Sequence, residues 1–92
     1  MRVRYQRRAL RDIENIQEFN EKRNPRAAVD VVARIRRAAE RLGTLPYMVH
    51  PGRDSGTYEW VVVGLPYIIV CEIDEATNEV AIVAIFHGAQ RR

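Results

Sequence analysis

The 92-residue chain holds one cysteine, Cys71, one tryptophan, Trp60, and two histidines, His50 and His87. A lone cysteine excludes an internal disulfide framework and fits a reducing compartment. Two histidines far apart in sequence, with no paired cysteines, leave no metal-ligand spacing. No glycine-rich phosphate loop is present either, so no metal and no cofactor is expected. Cys71 lies among Ile69, Val70 and Ile73, which reads as a buried, inert thiol rather than a nucleophile. No apolar run reaches the length of a membrane span, because the longest is broken by Gly64 and Pro66. The opening Met1-Arg2-Val3-Arg4-Tyr5 is charged from the start and lacks the apolar core of a signal peptide. A cytoplasmic protein with no membrane partner is the expectation. Lysine is nearly missing too, since Lys22 is the one exception to arginine among 15 basic residues.

What is present suits one domain spanning residues 1–92. Hydrophobic residues make up 47% of the chain, enough for a core and too many for a disordered segment. A core this small leaves stability thin, so a bound partner could add to it. The net charge of +3 is unevenly spread. Residues 1–42 hold twelve Arg or Lys and six acids, a net +6, whereas residues 43–92 hold three and six, a net −3. A basic body of this kind attracts nucleic acid or an acidic protein, unless its arginines simply solvate a helix face.

Periodicity sets the elements. Val3 to Tyr5 alternates as a short strand. Arg7 to Arg23 reads as a helix with Ala9, Ile13 and Ile16 on one face. Asn24 caps a second helix and Pro25 fits its first turn, where no N–H is needed. Ala28, Val32, Ile35, Ala39 and Leu42 give that helix an apolar seam, and Gly43 is expected to be its left-handed stop. The seam reads as core rather than a dimer zipper, because coiled coils need more heptads. Residues 44–56, with Pro46, Pro51, Gly52 and Gly56, read as a connector. Three strands follow, over 57–63, 67–73 and 80–86, the last two apolar on both faces. The order β-α-α-β-β-β predicts an α+β fold, with a helix hairpin packed on one face of a small, largely antiparallel sheet.

Four phrases carry a resemblance: Gly52-Arg53, Gly56-Thr57-Tyr58-Glu59-Trp60-Val61-Val62, Leu65-Pro66-Tyr67-Ile68-Ile69-Val70 and Ile85-Phe86-His87-Gly88-Ala89-Gln90. With the element order, they make the chain resemble the RelE/ParE toxin superfamily, and the last phrase looks like its ParE side. The resemblance implies a toxin of a type II toxin–antitoxin system, neutralised by a small ParD-like antitoxin whose tail folds along it. Such an acidic, coupled-folding tail suits a basic helical half.

Superfamily members split between two activities, and fold does not choose between them. ParE-like proteins poison DNA gyrase, whereas RelE-like proteins cut messenger RNA on the ribosome. Metal-free RNA cleavage needs a base, an acid and cations around the scissile phosphate. Here His87 and Arg53 keep two places of the RelE-like pattern. Ile68 stands where its key arginine is expected, Tyr58 where many relatives carry a basic residue, and residues 57–86 contain no Lys or Arg. Gyrase poisoning needs no catalytic residue, only a gripping surface. Candidates for it are Arg34, Arg36, Arg37 and Arg41 on the second helix and the tail Gln90-Arg91-Arg92. Arg53 and Tyr58 are candidates for the antitoxin. A degenerate toxin that still binds antitoxin, and a plain basic nucleic-acid-binding module, remain as alternatives, although the latter usually interleaves cations with aromatics on its sheet.

Each candidate has a plainer role. His87 could be a strand-end histidine bonded to a backbone carbonyl. Arg53 could pair with Asp54 or Glu59. Tyr58 and Trp60, on one face of their strand, could pack beneath the helices, leaving Glu59 to solvent.

Overall fold

The computed structural model describes residues 1–90. β1 (Arg2–Tyr5) leads directly into α1 (Arg7–Glu21), and α2 (Pro25–Thr44) returns beside it. A 3-10 turn (Pro46–Met48) then precedes β2 (His50–Pro51), β3 (Tyr58–Val61), β4 (Tyr67–Asp74) and β5 (Glu79–His87), and Gly88–Gln90 form a final 3-10 turn. The sheet order is β1-β5-β4-β3-β2. β1 runs parallel to β5, and every other neighbouring pair is antiparallel. The expected α+β architecture stands, with a short edge strand added.

Local chemistry explains the hairpin of helices. Asn24 Oδ1 accepts the backbone N–H groups of Arg26 (3.1 Å) and Ala27 (3.2 Å), so the second helix starts where the sequence places it. α1 ends at Glu21, two residues earlier than its apolar spacing suggests.

Gly43 is not the left-handed stop. α2 continues through it to Thr44, and positive φ among the glycines is confined to Gly56 and Gly64. Gly43 is buried because β1 crosses it. A Cβ there would lie 2.6 Å from the Met1 carbonyl oxygen and 2.8 Å from Val3 Cγ2. The Met1 ammonium donates to the Gly43 carbonyl at 2.7 Å, which ties the edge strand to the helix.

The core lies between the hairpin and one sheet face. Ala9, Ile13 and Ile16 of α1 and Val31, Ile35, Ala39 and Leu42 of α2 meet Tyr67, Ile69, Cys71, Val80, Ile82 and Ile85. Strict alternation would put Ile82 and Ile85 on opposite faces. The register breaks between Val70 and Cys71, whose partners are Ala84 and Ile82, and the extra residue, Val83, lets both isoleucines face the helices. The turns are built from side chains. Asp74 Oδ1 accepts Ala76 N–H (3.0 Å) and Thr77 N–H (3.3 Å), and Asn78 takes the left-handed conformation at φ 58°.

Candidate functional site

His87 closes β5 at the end of the sheet where β4 begins. Its Nδ1 accepts the Ala89 N–H at 3.0 Å, so the bond to the backbone exists with donor and acceptor the reverse of the expectation. A ring held this way carries its proton on Nε2. The imidazole stands edge-on to Tyr67 with centroids 5.5 Å apart, and the Tyr67 hydroxyl accepts from Asn20 Nδ2 at 3.2 Å. Beside them a cleft of about 430 Å³ opens between α1 and β5, lined by Arg8, Asp12, Asn15, Phe19, Tyr67 and His87 among others.

Asp12 is the residue in this cleft that sequence reasoning passed over. β1 ends at Tyr5, opposite Ile82, so among the described residues the upper part of β5 has no strand on its β1 side. The Asp12 carboxylate fills in for that strand, accepting the Ile85 N–H at 2.9 Å. Arg8, the one cation lining the cleft among the described residues, stands 3.7 Å from the same carboxylate. A carboxylate flanking the Ala9, Ile13 and Ile16 stripe was the available signal.

Arg53 does not join His87. It sits in the β2–β3 loop, and its backbone N–H donates to Glu59 Oε2 at 3.4 Å. Tyr58, at the foot of β3, pairs with Cys71, whereas His87 pairs with Tyr67. Four residues of β4 therefore separate the two levels, roughly 13 Å along a strand. Tyr58 and Trp60 are partly buried against the core. Cys71 is fully buried, and burial pushes its thiol up to about 11, well above the range where a thiolate forms at neutral pH.

The face of the sheet away from the helices carries Ile68, Val70, Ala81 and Ala84, all buried. The cations of the β1 edge are engaged: Arg2 and Arg4 reach the two oxygens of Glu79 at 2.8 and 3.4 Å. Hydrogen bonding from Arg2, opposed by partial desolvation, holds the Glu79 carboxyl below its ordinary range.

The four α2 arginines divide between two flanks of the helix. Arg36 lies over the Tyr5 ring at 5.4 Å and, with Arg7 and Arg11, lines a groove on the β1 side. Burial raises the Tyr5 hydroxyl above its ordinary range, with Arg36 opposing. Arg34, Arg37 and Arg41 occupy the other flank, above Trp60, Val62 and Val63. Arg34 is fixed there, donating from Nη2 to the Val63 carbonyl at 2.9 Å. Gln90 ends the last 3-10 turn, and the candidate Arg91 and Arg92 lie outside the described residues. Among the described residues, no three His, Cys, Asp or Glu side chains gather as a metal site would require. No helix among them is long and apolar enough to cross a membrane.

A helix hairpin with basic flanks over a five-stranded mixed sheet defines a small α+β domain. Residues 3–92 match the family model described as the ParE toxin of type II toxin-antitoxin systems, parDE, and the chain belongs to that family. A toxin candidate of Sinorhizobium fredii (strain NBRC 101917 / NGR234), Y4kP, is 39% identical over 90 residues, covering 98% of this chain and 91% of its own length. Two solved structures share the fold. A chain of the chromosomal ParDE system of P. aeruginosa superposes with a TM-score of 0.86 at 18% identity, covering 95% of each chain. A chain of the RelBE2 toxin–antitoxin complex of Mycobacterium tuberculosis superposes at 0.71 and 24% identity, covering 94% of this chain and 95% of the other. The chain is a ParE-type toxin of a toxin–antitoxin system.

Proposed function

We propose that this toxin acts in the cytoplasm by holding DNA gyrase at the stage where DNA is cut, and that a ParD-like antitoxin silences it. The observation that carries this reading is the setting of His87. Its Nδ1 is committed to a backbone amide, the one cation of its cleft among the described residues leans on Asp12, and Arg53 is at the other end of the sheet. Phosphoryl transfer without a metal depends on charges aimed at the transition state, and the described residues of this cleft supply few. Membership of the ParE family points the same way. The contact with the target is assigned to the basic helix hairpin and the tail 90–92, which need only bind.

The test is a cleavage assay with purified toxin, bacterial gyrase, ATP and supercoiled plasmid. Linear DNA should accumulate, disappear when antitoxin is added, and be produced equally by His87→Ala. No linear DNA, in a preparation that a gyrase drug shows to be competent, would move the reading to messenger-RNA cleavage on the ribosome, where His87→Ala should abolish toxicity.

A further inference from the structure

One wall of the cleft beside His87 is a single stripe of α1. Arg8, Asp12, Asn15 and Phe19 follow one another at intervals of four, three and four residues, so the helix turn brings them to one side. Tyr67 and His87 line the cleft from the sheet. Phe19 is 53% exposed, and the Arg23 guanidinium lies over its ring at 5.6 Å. The polar groups are a mixed set. Asp12 Oδ2 accepts the Ile85 N–H, whereas Oδ1 accepts nothing from the described residues. Asn15 is exposed, and its side-chain amide has no hydrogen bond among them. The Nε2–H of His87 likewise has no acceptor among them. An acceptor-only carboxylate, an amide that does both and an N–H donor thus line one cavity with aromatic sides. Its volume, about 430 Å³, is that of a small-ligand site, roughly 300–1,000 Å³.

We propose that this cleft binds a guanine base. A planar heterocycle stacks on an exposed aromatic ring such as Phe19, and its pairing edge is then read by polar side chains. Guanine presents two adjacent donors on that edge, N1–H and the N2 amino group, which suit the Asp12 carboxylate. Its O6 accepts from the His87 N–H or the Asn15 amide. Adenine turns a bare N1 lone pair toward the carboxylate, which disfavours it. The guanidinium of a partner's arginine would stack and pair with Asp12 too, but it holds no acceptor for the His87 N–H. Arg8 and Arg23, at the two ends of the stripe, offer cations to the phosphate that accompanies the base. A free nucleotide and an unpaired strand bring the same edge. The site is separate from the helix flanks assigned to gyrase and does not depend on that reading.

Two amides report on the site, the Ile85 N–H through Asp12 and the Ala89 N–H through His87. Their NMR resonances are followed while the intact toxin is titrated with guanosine monophosphate, adenosine monophosphate, ribose phosphate and arginine amide. Guanosine monophosphate should shift both amides saturably, and adenosine monophosphate should bind roughly tenfold more weakly. Ribose phosphate and arginine amide should leave both amides in place. Asn15→Ala and Phe19→Ala, at exposed positions and checked for unchanged thermal unfolding, should weaken the guanine response by roughly fivefold or more. Asp12→Asn should weaken guanosine monophosphate but not adenosine monophosphate, a change of preference that loosened structure alone would not give. Two thymidine octamers, one with a central guanine, identify the source. Tighter binding of the guanine-bearing strand than of the nucleotide means an unpaired strand, and the reverse means a free nucleotide. No response to either guanine probe, or an equal one to adenosine monophosphate, ribose phosphate, arginine amide or the all-thymidine strand, would overturn the proposal. So would an undiminished response in both exposed variants.

Discussion

Single side chains do the work of missing strands in this protein. Asp12 replaces a partner for the Ile85 N–H, and Arg34 replaces one for the Val63 carbonyl. Removing the carboxylate strands a sheet amide in a part-buried place, and an orphaned donor costs about 1–3 kcal/mol. Asp12→Ala should therefore lower the urea midpoint by that much with the slope unchanged, and Asp12→Asn, which keeps an acceptor oxygen, should lose less. Glu79 gives a different signature. Its carboxyl is held below its ordinary range by Arg2, so its folded pKa lies under its unfolded one. The stability it contributes is present above the unfolded value and disappears as pH falls through the folded value. Thermal unfolding of Glu79→Gln should match the native chain once pH lies below the folded value and fall below it at neutral pH. An equal gap at both would mean that the Arg2–Glu79–Arg4 contact contributes nothing through charge.

At the level of elements, the clearest prediction concerns α2. Glycine inside a helix costs about 1 kcal/mol relative to alanine, so propensity alone says that Gly43→Ala stabilises. The structure reverses the sign. A methyl group there meets the Met1 carbonyl oxygen and Val3, and overpacking of this kind costs about 1–3 kcal/mol. The variant should unfold more easily, and its amides should exchange faster in β1 than in β4. This glycine also marks the limit of reading elements from sequence. A glycine at the end of an apolar seam has two uses, a left-handed stop and a close approach, and only the position of a distant strand separates them. The helices were legible because their seams and the Asn24-Pro25 cap are local signals. β2 was not, since two residues beginning at His50 and ending in Pro51 have no periodicity. The bulge at Val83 was hidden by an all-apolar strand.

For the molecule as a whole, the α+β class and the helix-covered, largely antiparallel sheet followed from the order and polarity of the segments, whereas the order of the strands and the site did not. His87 and Arg53 were selected as a pair by resemblance, and the register keeps them at opposite ends. The four α2 arginines looked like one patch, and the helix turn divides them into two flanks. Charge along a sequence says how many cations a helix has. Which cations share a surface depends on which side of the helix the sheet covers.

The pairing of β1 with β5 also bears on how this toxin comes into being. Arg2–Tyr5 must find Glu79–Ile82, the first strand waiting for the last. On the ribosome the helix hairpin can form early, but its apolar face has no sheet to settle on until the residues of β5 have been made and cleared the exit tunnel. The sheet can thus close on its first strand only after Glu79–Ile82 has been made. Until then the apolar face of the helix hairpin stays open to whatever the chain meets.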